Sequence, residues 1–117
     1  PQATGDQVSQ AQEKAYRSPF LMLVIVDALR GDPEIDLHER IVSAGCAVQN
    51  VLLMATALGF GSALTSGKAL KSTVLCRLFG LGPNEHALCF LSIGSVHSRR
   101  NARSRPVHDD FVSVLQR

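Results

Sequence analysis

A single domain of mixed strands and helices, of α/β or α+β class, is what the hydrophobic pattern of this chain predicts. Three observations carry that prediction. Two short apolar runs, Phe20–Ala28 and His86–Val96, have the length and β-branched content of buried strands. Between them, no charged residue occurs from Ile41 to Gly67, and Lys68 follows at once. The order strand, long helix, strand, short helix, strand belongs to a sheet covered by helices.

The elements follow in order. Residues 1–17 read as a polar, turn-rich tail or loop, with room for one helical turn over Ala11–Tyr16. After Pro19, the run Phe20–Ala28 reads as a strand buried on both faces. Gly31-Asp32-Pro33 marks a loop. Asp36 with Glu39 three residues on has the pattern of a capping box. Helix is expected from Leu37 to Leu58, roughly 33 Å at about 1.5 Å per residue. Gly59 is the natural residue to end it. A helix apolar nearly all round is buried inside a protein or between subunits. Ala44, Gly45, Ala47, Ala55 and Ala57 are small enough to admit a neighbouring helix.

Gly61–Ser66 reads as a short strand and Lys68–Lys71 as a turn. Ser72 is placed to cap a short helix over Thr73–Phe79, stopped by Gly80. Leu81-Gly82-Pro83-Asn84 is a turn before the His86–Val96 strand. His97–Pro106 is a basic loop. Asp109–Leu115 is expected as a last short helix with Phe111, Val112 and Leu115 inward.

Composition narrows the function classes. The 117 residues are 45% hydrophobic with a formal charge of +2, which excludes global disorder and implies no polyanion partner by itself. Arg99, Arg100, Arg103 and Arg105 crowd one segment, but without interleaved aromatics they are thin grounds for nucleic-acid binding. Cys46, Cys76 and Cys89 are odd in number and lack metal spacing, and read as core thiols of a reducing compartment. His38, His86, His97 and His108 are scattered, so no metal site is expected. The stretch from Ile41 to Leu64 is long enough to span a bilayer. Its Gln49-Asn50 centre, its small residues and its lack of flanking basic clusters argue for a soluble helix instead. No secretory signal pattern is visible.

Three blocks in order bring a family into view. Ser18-Pro19-Phe20 leads into an apolar strand. Ser43 to Ser62 runs Ser-Ala-Gly-Cys-Ala-Val-Gln-Asn-Val-Leu-Leu-Met-Ala-Thr-Ala-Leu-Gly-Phe-Gly-Ser. Leu78-Phe79-Gly80-Leu81-Gly82-Pro83 is followed by Phe90-Leu91-Ser92-Ile93-Gly94. Together, over about Ala15 to Ser95, this resembles the FMN-dependent nitroreductase family, nearest its small single-domain branch. The resemblance implies an α+β flavoprotein fold. It implies a cytoplasmic homodimer joined through the Leu37–Leu58 helix, with FMN at the interface. It also implies hydride transfer from NAD(P)H through the flavin to a nitroaromatic, quinone or similar small acceptor. In such enzymes the flavin carries the chemistry, so no nucleophile–base dyad is expected.

The resemblance also assigns the site residues. Leu64, Thr65, Ser66 and Gly67 match the stretch beside the isoalloxazine ring, where small residues let backbone approach a flat ring. Arg103 and Arg105 match a late basic pair that reaches the FMN phosphate, as guanidinium suits phosphate; Arg99 or Arg100 could serve instead. The family's N-terminal Arg-Arg-Ser-x-x-Arg-type segment has no counterpart here. The chain therefore looks like the C-terminal portion of such a protein, a single domain over 1–117, with weak or no FMN binding alone and a tendency to associate through exposed apolar surface. The alternative is a non-catalytic dimeric scaffold or truncated homologue that has lost FMN.

Overall fold

A computed structural model describes residues 4–16 and 18–117. It contains a three-stranded antiparallel sheet with one long helix across a single face. The elements are α1 (Gly5–Tyr16), β1 (Phe20–Asp27), α2 (Leu37–Ala57), β2 (Gly61–Thr65), α3 (Thr73–Leu78) and β3 (Glu85–Gly94). Single 3-10 turns occupy Lys68–Lys71 and His108–Asp110. The strand order is β1-β3-β2, so β3 is central and both other strands are edges.

Strand register defines the two faces. Val24 pairs with Cys89, Met22 with Leu91, and Leu64 with Leu91 from the other side. Directly paired residues share a face, so these side chains form the face that α2 covers. A bulge between Val24 and Ile25, where β3 carries Leu88 as the extra residue, shifts the β1 register near its end. The core is Val48, Cys89 and Leu91, with Met22, Val24, Val51, Leu52 and Leu88 packed around it. Leu91 is 1% exposed.

Helix α2 supplies its stripe from Leu37, Arg40, Ala44, Val48, Val51, Leu52 and Ala55, all buried or half-buried. That is the i, i+3, i+4, i+7 spacing of one helical face. Within the single chain, burial stops at this stripe. Val42, Leu53, Met54 and Leu58 on other sides are 58–67% exposed. Gln49 and Asn50 are also exposed, so they need no internal partner. By length and apolar composition α2 could cross a bilayer, yet its stripe is spent on the sheet.

The ends of α2 were readable, but the capping chemistry differs. Asp36 has the extended N-cap backbone, with φ −63° and ψ 152°, and its side chain caps nothing. Arg40 organises the approach instead. Its guanidinium donates to the carbonyls of Ile35 (2.9 Å), Arg30 (2.6 Å), Asp27 (3.3 Å) and Asp32. At the other end Gly59 takes φ +85°, the left-handed turn that glycine adopts freely. Ser72 does cap α3, accepting the Leu75 N–H at 3.2 Å.

Several expectations are corrected. The segment 1–17, read as tail or loop, carries the helix α1 over Gly5–Tyr16, while Pro1–Ala3 and Arg17 lie outside the described residues. The overlooked signal is Thr4-x-x-Gln7: Thr4 Oγ1 accepts the Gln7 N–H at 3.4 Å and Gln7 Oε1 accepts the Thr4 N–H at 3.2 Å, a reciprocal cap. Strand β1 is not buried on both faces: Phe20, Leu21 and Ile25 are 38–54% exposed, because among the described residues a helix layer covers one face of the sheet. Cys46, expected in a core, is exposed, while Cys89 is buried and Cys76 half-buried. Asp109–Leu115 does not form a helix. Only the turn His108–Asp110 forms, and Phe111 and Leu115 are 68% and 92% exposed, because among the described residues no sheet or helix lies beneath them.

Size quantities agree with an open structure. The radius of gyration is 17.6 Å, against about 13 Å for a compact domain of this length. The accessible surface is 10280 Å², against roughly 6,200 Å² for a compact monomer of this mass. From Ser95 onward every residue is exposed, forming an arm beyond the sheet.

Candidate functional site

Strand β2 leaves α2 through the turn Gly59-Phe60 and runs antiparallel to β3, pairing Gly61 with Gly94 and Thr65 with Phe90. Among the described residues its outer edge has no strand beside it. Leu64 lies on the face that α2 covers, but at the rim, so it remains 51% exposed while its partner Leu91 is buried. Thr65 lies on the opposite face with Phe90.

Beyond Thr65 the backbone stays extended: Gly67 has φ 169° and ψ 175°. Among the described residues neither the Ser66 nor the Gly67 N–H donates to backbone outside the strand ladders, and only the Gly67 carbonyl is engaged, accepting Leu70 N–H at 3.1 Å. A Cβ built on Gly67 would meet nothing within 4 Å. Leu64, Thr65, Ser66 and Gly67 thus form an open, exposed ledge. It offers an apolar side chain, two hydroxyls and free backbone donors, a donor set that suits the edge of a flat heterocycle. Lys68 and Lys71 follow directly, and both are exposed. Sequence reasoning treated them only as a turn, although two lysines within four residues of the ledge were a visible signal.

Arg103 and Arg105 lie in the exposed arm. Among the described residues no hydrogen bond or ion pair joins either to Leu64–Gly67 or to anything else. Both guanidinium groups are free to meet an anion, but the single chain does not bring the two halves of the predicted site together.

A second feature was not foreseen. An open depression of about 510 Å³ lies at the other end of β2, lined by Gly59, Phe60 and Ser95–Arg99. Glycine makes its wall possible: a Cβ on Gly61 would fall 2.7 Å from Val96 Cγ2.

Two titratable groups have displaced equilibria. The Asp27 carboxylate accepts the Leu29 and Arg30 N–H groups, each at 2.8 Å, and these bonds hold its pKa below the usual aspartate value, with Arg30 and Arg40 adding to the effect. Burial pushes the Cys89 thiol up, so it is less readily ionised. Among the described residues no group of three or more His, Cys, Asp or Glu is placed to hold a metal ion.

The described residues thus form an α+β unit in which one long helix covers one face of a three-stranded sheet and leaves its own other side exposed. Comparison with known proteins supplies the family. The sequence profile of the Nitroreductase family matches residues 3–95, and the chain belongs to that family. A Haemophilus influenzae protein bearing an NAD(P)H nitroreductase name is 27% identical over 111 residues, covering 94% of this chain and 60% of the relative. The Escherichia coli K12 protein YdjA, similarly named, is 32% identical over 89 residues, covering 74% of this chain and 49% of YdjA.

Solved structures agree on the fold. A Bacillus cereus nitroreductase-like family protein superposes with a TM-score of 0.80 at 15% identity, over 97% of this chain and 62% of the other. The FMN- and NADPH-dependent nitroreductase NfnB of a Sphigopyxis strain gives 0.70 at 19% identity, over 97% and 52%. The chain thus spans about half to three fifths of the length of these relatives.

Proposed function

We propose that this chain, as one domain over 1–117, serves an FMN-dependent NAD(P)H oxidoreductase of the nitroreductase type. Its acceptors would be small molecules such as nitroaromatics or quinones. The observation that carries this reading is the family match over residues 3–95, combined with the open ledge Leu64–Gly67 at the sheet rim. The names of NfnB and of the Haemophilus influenzae relative point the same way. When bound, the flavin accepts hydride and passes it on; the chain's own residues position it. Leu64 would pack against the ring, Thr65, Ser66 and Gly67 would offer hydroxyl and backbone donors along its edge, and Arg103 and Arg105 would bind the phosphate.

The partner in this reading is a second copy, meeting the first through α2. Its support is the exposed apolar surface of Val42, Leu53, Met54 and Leu58 and an accessible area far above that of a compact monomer. Patches of this kind mark association sites. The free arm bearing Arg103 and Arg105 would then complete a site that one chain leaves in two pieces. A cytoplasmic location accords with three unpaired thiols.

The test is an absorbance spectrum after FMN is added and excess removed. Retained flavin bands, followed by NAD(P)H oxidation with a quinone, support the reading. A colourless protein refutes FMN-dependent activity for this chain on its own, in favour of a scaffold or truncated homologue that keeps the fold without the cofactor.

A further inference from the structure

The ledge Leu64–Gly67 runs directly into a cationic turn whose charges no carboxylate neutralises. Lys68 follows Gly67 at once, about 3.8 Å away between Cα atoms, and Lys71 closes the 3-10 turn Lys68–Lys71. With three residues per turn, positions i and i+3 eclipse, so the two lysines leave the same side of it. Leu70 between them is half-buried. The turn is held by the Leu70 N–H donating to the Gly67 carbonyl at 3.1 Å and the Ser72 N–H donating to that of Ala69 at 3.0 Å. Both lysines are exposed, and among the described residues neither joins an ion pair. The turn packs against β3. The one carboxylate of that strand, Glu85, is turned to the Gly82 N–H, which it accepts at 2.8 Å. From Ile41 to Asn84 the chain carries Lys68, Lys71 and Arg77 and no Asp or Glu.

An unneutralised pair of ammonium groups acts over roughly a Debye length, about 8 Å at physiological ionic strength. A flat ligand at the Gly67 end of the ledge lies within that range. The space there is open, since a Cβ on Gly67 would meet nothing within 4 Å. In the flavin reading Arg103 and Arg105 meet the FMN phosphate, so the lysines have no assigned partner. We propose that Lys68 and Lys71 make the site selective for anionic acceptors, aromatic rings bearing a carboxylate, over neutral ones. The ring of the acceptor lies over the ledge and its carboxylate faces the two ammonium groups, a charge-assisted pairing. A border of one charge sign also raises the local concentration of the opposite ion and speeds its arrival. The inference rests on the flavin reading for the chemistry at the ledge and names the acceptor class which that reading leaves open, but its test needs no flavin.

The probes are 4-nitrobenzoate and 4-nitrobenzamide, alike in ring and nitro group and different in charge. Each is titrated into the full chain and followed by amide chemical shifts. 4-Nitrobenzoate is expected to perturb the amides of Ser66–Lys71 and to bind about three- to tenfold tighter than the amide at low salt, the scale of exposed charge pairs. That preference should collapse at about 0.5 M salt. Lys68→Gln with Lys71→Gln should abolish it, whereas Arg77→Gln, which deletes the same charge outside the turn, should keep most of it. Equal affinity for the two probes at low salt, shifts confined to other residues, or an equal loss in Arg77→Gln would overturn the proposal. So would tighter binding of inorganic phosphate than of 4-nitrobenzoate at the same amides, which would give the lysines to a cofactor phosphate. The comparison of probes uses the unmodified protein, so misfolding of a variant does not blunt the test. A chain that shows the preference yet retains no FMN would refute the flavin reading and leave the selectivity of the ledge standing. Retained FMN with equal affinities would do the reverse.

Discussion

The backbone of Gly94 lies against the ring of Pro19: a Cβ built at position 94 would sit 2.9 Å from Pro19 Cδ and 3.5 Å from Cγ. The neighbouring Ser18 Oγ donates to the Ile93 carbonyl at 2.6 Å. The start of β1 and the end of β3 are thereby locked together, just where Phe20 pairs with Ile93.

Gly94→Ala must therefore push a rigid ring or bend the edge strand. We expect a loss of about 1–3 kcal/mol, the usual scale of overpacking, seen as a lower urea midpoint with an unchanged slope. Pro19→Ala in the same background should restore part of it. Additivity in the double-mutant cycle would show that the two residues do not press on each other.

The exposed side of α2 makes a prediction about assembly. Light scattering at micromolar concentration should report a dimer, and Leu53→Asp, a charge at a 58% exposed apolar position, should shift it toward monomer. Because Leu53 lies off the sheet-facing stripe, the far-UV spectrum should be preserved. A wild-type protein that stays monomeric would count against α2 as the interface.

Arg40 ties the loop before α2 to the sheet by four carbonyl contacts. Arg40→Met keeps much of the stem and deletes the donors. The expected cost is about 1–2 kcal/mol, since these bonds compete with water, together with faster amide exchange over residues 28–36. Arg40→Lys should rescue little, because an ammonium cannot fork across several carbonyls. Full rescue by lysine would reduce the role to simple charge.

Asp27 ties folding to pH. Its folded pKa lies below its unfolded value, so its stabilising contribution is present above the unfolded pKa and disappears as pH falls through the folded one. Melting temperature should drop as pH is lowered through and below about 4. Asp27→Asn keeps an oxygen acceptor but no charge, and should flatten that portion of the curve. Parallel curves for the two proteins would remove Asp27 as a contributor.

Much of the fold was legible because local chemistry and tertiary packing agree. Gly59, Ser72 and Gly80 mark helix ends by backbone freedom or a capping hydroxyl. The apolar runs of β1 and β3 are strands because they meet each other in register. The α1 helix was missed because its capping pair, Thr4 and Gln7, sits in a polar stretch with no periodic apolar signal. The expected C-terminal helix failed for the opposite reason: Phe111, Val112 and Leu115 have an apolar pattern but, among the described residues, no surface to bury against.

By itself the sequence determined the element order, the helix boundaries near Leu37 and Ala57, and the family, since these depend on residue types and short-range spacing. The tertiary structure alone decided which stripe of α2 is covered, that β3 rather than β1 is central, and that Phe60 and Arg99 border one depression. Those facts depend on strand order and on which surfaces meet. An apolar helix carries no label saying which of its sides faces its own sheet and which is left open.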